Sequence, residues 1–159
     1  MPNTPTIHYR DGISFTMSDR NWVTITRRKP GQSIWEAEKL GWFHKDSLHG
    51  KTAAQIVTFC AQVQAAHVAV RAKFDAFKAS LPVELQDKVS YGYIGNFESW
   101  GDDTSWRLFY NVPQERFGQS AGGYSQARMP EFLANWDRHE AFVRAKLTQA
   151  YGVDVTKAA

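Results

Sequence analysis

The run from Thr52 to Ser80 constrains the fold more than any other stretch. Ile56, Phe59, Cys60, Val63, His67, Val70, Phe74 and Phe77 recur at spacings of three and four. That period puts them on one face of an α-helix. Thr52 and Gln55 supply a Thr-x-x-Gln capping box at its start. Pro82 ends it, because the proline ring clashes with the preceding helical turn. A helix this long must lay its apolar face on something, so the remaining chain has to build a surface for it. The opposite face carries Ala61, Ala65, Ala69, Ala72, Ala76 and Ala79. Alanine there lets a second helix or a second copy of the chain approach closely, so self-association through this face is one reading. A solvent face made from the best helix former is the other.

The surface for that helix comes from strand-like segments. Residues 7–10 and 13–17 flank Asp11-Gly12, a dipeptide suited to a two-residue hairpin turn. Residues 21–27, rich in β-branched and aromatic side chains, read as a third strand ending at Arg28-Lys29-Pro30-Gly31. Ser33-Ile-Trp-Glu36 has capping-box form, which predicts a short helix over 34–40 with a strand as the alternative. Residues 91–97 and 105–112 form a second expected hairpin around Gly101-Asp102-Asp103-Thr104. Residues 113–128 read as a loop. Pro130 to Tyr151 reads as a C-terminal helix with Phe132, Leu133, Trp136, Val143, Leu147 and Ala150 inward and Gly152 at its end. The expected fold is a single α+β domain over 1–159. Its antiparallel sheet has about five strands, from two β-hairpins plus one strand, packed on a long helix (about 52–80) and a C-terminal helix (about 130–151).

The pattern of charge narrows the function. Net charge is +3, yet Lys+Arg against Asp+Glu runs 7 to 5 over residues 1–50, 6 to 6 over 51–112 and 6 to 5 over 113–159. No third of the chain is the concentrated cationic element of a typical nucleic-acid binder. The single cysteine, Cys60, excludes an internal disulfide. The segment MPNTPTIHYR lacks the apolar run of a signal peptide. No stretch reads as the roughly 20 apolar residues of a membrane span. The expectation is a cytoplasmic protein with no membrane partner.

Catalytic motifs are hard to find. Gly50-Lys51-Thr52 resembles the end of a phosphate-binding loop, but Lys45 stands where such a loop needs its first glycine. His44, Asp46 and His49 have the ligand types for zinc or iron, so a metal-dependent enzyme using that loop is one alternative. Its spacing is not that of a helical metal motif, and solvated loop residues account for it. Cys60 and His67 share the apolar stripe of the long helix, too far apart for a Cys–His pair. No metal or cofactor is expected.

Two binding features remain. Arg27, Arg28 and Lys29 form the chain's one cationic run, with Trp22 upstream and Trp35 downstream. Cations beside aromatic rings can form the rim and anchor of a protein interface, or grip phosphates and stack on bases. Gly122, Gly123 and Tyr124 lie in the expected 113–128 loop, where a glycine pair lets backbone approach a ligand. Aromatic residues are 14% of the chain, with six tryptophans, and such side chains favour interfaces as well as cores. The favoured reading is a non-enzymatic protein that binds another protein, in an accessory or inhibitory role. Nucleic-acid binding through the Arg27-Arg28-Lys29 turn and nearby tryptophans is the alternative.

Overall fold

Hairpin chemistry organises the first part of the fold. The structure, a computed structural model, describes residues 6–10, 12–17, 21–94, 105–115 and 119–157. The chain divides into two compact units, Met1–Gln64 and Ala65–Ala159. Among the described residues the first unit holds a four-stranded antiparallel sheet in chain order, β1 (Thr6–Arg10), β2 (Ile13–Met17), β3 (Trp22–Arg27) and β4 (Glu38–His44). Arg10 faces Ile13 across the first turn, the register of a two-residue loop. Gly12 sits there at φ 78°, while Asp11 lies outside the described residues. Strand alternation then sorts the side chains: Ile13 and Phe15 on β2, Val23 and Ile25 on β3, and Phe43 on β4 are all buried.

A short helix α1 (Lys45–Leu48) leads into the long helix α2 (Ala53–Ser80). The Thr52–Gln55 box forms as expected. Thr52 N–H donates to Gln55 Oε1 at 2.8 Å and Gln55 N–H donates to Thr52 Oγ1 at 3.2 Å. Within the first unit α2 turns Ile56, Cys60 and Val63 inward, and the Phe59 ring lies 4.9 Å from that of Phe43.

The second unit contains a three-stranded antiparallel sheet, β5 (Val89–Ile94), β6 (Ser105–Tyr110) and β7 (Ser120–Tyr124). The rest of α2, a short helix α3 (Val83–Gln86) and the C-terminal helix α4 (Met129–Tyr151) complete it. Phe132 on α4 stacks on Tyr124 of β7 at 4.7 Å and meets Tyr91 of β5 edge-on at 6.3 Å. Trp136, Val143 and Leu147 are buried from the same helix, and Gly152 ends it in the left-handed conformation at φ 69°. The turn expected at Gly101-Asp102-Asp103-Thr104 lies outside the described residues.

The α+β class and both long helices are as expected, and four details differ. The strands form two sheets instead of one, and two strands arise where other structure was expected. The 34–40 helix is only a single 3-10 turn over Ile34–Glu36, although Ser33 N–H does reach Glu36 Oε2 at 3.0 Å. From Glu38 onward the chain pairs with β3, so sheet hydrogen bonding overrides the local helix signal. Likewise the 113–128 loop contains β7, disguised by its glycines. The fourth detail is hydropathy. By length and composition α2 is apolar enough to cross a membrane, contrary to the expectation, because residues 53–70 carry no Asp, Glu, Lys or Arg. Only 28% of that apolar window is buried within the protein. Ala61, Ala65, Ala72, Ala76 and Ala79 are exposed and Ala69 is half-buried, so most of the alanine face is bare.

Candidate functional site

The β3–β4 connection is where the expected binding residues of the first unit gather. Arg27 ends β3 opposite Glu38 of β4 in the ladder, though no ion pair forms between them. Arg28 N–H donates to Gly12 O at 3.0 Å, which pins the connection to the first hairpin turn. Pro30-Gly31 then reverse the chain, with Gly31 at φ 84°. Lys29 closes the turn in both directions. Its N–H donates to Gln32 Oε1 at 2.9 Å, and its carbonyl accepts from Gln32 N–H at 3.1 Å. Because the backbone satisfies this turn, the cationic side chains are not needed to hold it. Gly12 and residues 27–32 enclose an open cleft of about 650 Å³.

Arg28 and Lys29 are exposed and Arg27 is half-buried. Among the described residues none of the three makes an ion pair, whereas six pairs of Lys or Arg with Asp or Glu form elsewhere. Glu36, the nearest carboxylate downstream, already accepts the Ser33 N–H. The three cations thus carry no direct ion pair within the turn, although Glu36 lies on the same connection and Glu38 opens β4. Trp35 follows in the 3-10 turn of the same connection and is 92% exposed. A tryptophan that bare forgoes the burial its ring would normally gain.

Trp22 lies within an aromatic stack of the sheet. It stacks on Trp42 of β4 at 4.2 Å and 20°, with the His44 ring edge-on at 5.7 Å. This cross-strand ladder braces the sheet. Of the two flanking tryptophans, only Trp35 offers its face.

The histidine loop is ordered by its own hydrogen bonds. His44 caps α1, accepting the Asp46 N–H at Nδ1 over 3.3 Å, and Asp46 Oδ2 lies 3.3 Å from the same nitrogen. His49 is exposed. Among the described residues no three His, Cys, Asp or Glu side chains converge as a metal site. Cys60 is buried, and burial pushes its thiol pKa up, away from the nucleophilic thiolate.

Gly122, Gly123 and Tyr124 belong to the second unit, in β7. The ladder passes from Arg107↔Gly122 to Trp106↔Tyr124, so Gly123 is the extra residue of a bulge. Both glycines have positive φ, 99° and 112°. The bulge aims Tyr124 at α4, where its hydroxyl lies 2.7 Å from His139 Nε2 with the Arg128 guanidinium 5.2 Å from its ring. Burial, with help from Arg138, holds His139 below its ordinary pKa. The glycines therefore serve the bulge and Tyr124 serves packing between β7 and α4.

One second-unit cluster carried no sequence signal. Arg144, only 4% exposed, donates to Glu140 Oε2 at 3.1 Å, Val155 O at 3.1 Å and Ser80 Oγ at 2.7 Å, and lies over the Phe77 ring at 4.8 Å. It ties the end of α2, α4 and the C-terminal segment together. An arginine mid-helix reads as solvated, and only the tertiary fold reveals it as a buried clasp.

The fold and the site together define an α+β protein with a basic cleft and an exposed tryptophan on one connection. No family model matches the chain, and no curated protein or solved structure matches it either.

Proposed function

We propose that the protein acts without catalysis, by binding another protein through the β3–β4 connection. Trp35 is the anchor that buries into the partner, and Arg27, Arg28 and Lys29 form a cationic rim that selects an acidic surface. The observation that carries this reading is the 92% exposure of Trp35 on the same connection as three cations with no ion-pair partner among the described residues. Interface energy concentrates in Trp and Arg positions of this kind. An accessory or inhibitory role in the cytoplasm is the corresponding biology.

A second reading, nucleic-acid binding at the same turn, is favoured by the cleft itself, since uncompensated arginines suit phosphates. One experiment separates the two. Tagged protein is used as bait in host lysate, with nuclease added to half of the sample and Trp35→Ala as a parallel bait. The expected result is a stoichiometric protein partner that survives nuclease and is lost from the Trp35→Ala bait. A partner retained by that variant removes Trp35 from the interface. If capture instead vanishes on digestion, and with Arg27, Arg28 and Lys29 changed to Ala, the site belongs to nucleic acid.

A further inference from the structure

The structure assigns the cleft at the β3–β4 turn a ligand bearing a phosphoryl group, which rests on the reading of this turn as the binding site and names the chemistry of its contact. The first observation is charge. Arg27, Arg28 and Lys29 line one cavity, and none makes an ion pair among the described residues. A carboxylate is satisfied by a single guanidinium fork, which would leave the other two cations unused. A phosphoryl monoester carries about −1.5 to −2 charge and three strong acceptor oxygens, so it can occupy both forks and the ammonium together.

Size is the second observation. The cleft is open and about 650 Å³, so it has room for a phosphoryl group carried on an organic body. The third is local construction. A Cβ at Gly31 would meet nothing within 4 Å, so the turn leaves open space beside its backbone. The turn's own hydrogen bonds come from backbone groups and Gln32. The cationic side chains are thus free to move onto a ligand without dismantling the loop.

The same chemistry has two sources, a phosphorylated side chain on the protein partner or a free phosphorylated metabolite. Both are tested on the full chain by following backbone amide resonances. The probes are O-phosphoserine, glycerol 3-phosphate and malonate, a dicarboxylate of similar charge. Saturable shifts at residues 28, 29, 31 and 32 are expected with the two phosphates. Malonate should bind ~10-fold more weakly or worse, the scale of one or two charge-assisted bonds. Arg28→Ala/Lys29→Ala should lose a similar factor, and its unchanged spectrum elsewhere would show an intact fold. Tighter binding of O-phosphoserine names the side-chain source, and tighter binding of glycerol 3-phosphate names the metabolite. Equal affinity for malonate, phosphate affinity unaltered in the double variant, or absence of saturable shifts overturns the inference. Because no partner is needed, these failures stand apart from failure of Trp35-dependent capture.

Discussion

Two histidines couple this fold to pH through burial. His67 packs its ring edge-on to Trp106 at 4.8 Å, and His139 meets the Tyr124 hydroxyl at 2.7 Å. Desolvation lowers both pKa values from 6.5, with Arg138 adding repulsion at His139. A base with a lowered folded pKa binds more protons unfolded than folded across the interval between the two values. Its contribution is therefore complete above the unfolded value of 6.5 and is lost as pH falls through that value towards the folded one. Glu115, held below its usual range by Lys146 and Tyr110, contributes in the same direction only below 4.5. Urea midpoints should consequently decline from about pH 7.5 to about pH 5, with a flatter profile in His67→Gln/His139→Gln. A midpoint that holds or rises over this range would contradict buried neutral histidines.

At the scale of the element, legibility followed local signal strength. The 52–80 helix could be read because period, cap and proline stop all agree, and the hairpin at Asp11-Gly12 because its turn chemistry is specific. The strand β4 was read only as the alternative to a helix, because of a capping box that forms just one 3-10 turn, and β7 was hidden behind glycines that belong to a bulge. Gly41 shows why such residues mislead. It reads as a helix stop, yet it is a strand residue facing Ile25, beside a register shift that leaves Leu40 extra on β4. A Cβ there would stand 2.6 Å from Phe43 Cε2 and 3.1 Å from Cys60 Sγ, both on buried side chains. Gly41→Ala should then destabilise by about 1–3 kcal/mol, the range of core overpacking. Gly92, also in a strand but with its nearest atom at 4.0 Å, is the control, and its Ala variant should stay within about 0.5 kcal/mol. Chemical denaturation of both compares them directly, and equal stabilities would remove the close-packing account. The candidate site divides the same way. The Arg27-Arg28-Lys29 run was visible as charge, but which tryptophan was bare was not, because Trp22 and Trp35 differ only in what the folded strands bring to them.

Over the whole chain, the division at Gln64/Ala65 falls inside α2, and the two sides differ in how many buried side chains each contributes. Ala65–Ala159 keeps Val70, Phe74, Phe77, Leu108, Phe132, Trp136, Val143 and Leu147 within its own bounds, along with the Arg144 clasp. Its hydrogen-bonded sheet and α4 are complete without any residue before 65. Met1–Gln64 has a smaller set, with Ile13, Phe15, Val23, Ile25 and Phe43 from the strands and Ile56, Cys60 and Val63 from the helix. Chains of about 60 residues without disulfides or metals bury a smaller share of their surface and are marginal alone. The expected outcome of expressing the two fragments is therefore asymmetric. The 65–159 fragment should keep a near-ultraviolet circular dichroism signal from its packed aromatics and a cooperative urea transition. The 1–64 fragment should show neither at equal concentration. Should the larger fragment also lack a cooperative transition, its core would have to depend on residues 1–64, and the chain would fold as one indivisible body. Retention of both signals by 1–64 alone would instead place the β3–β4 turn on a self-sufficient module, and the phosphate titration could then be repeated on that fragment.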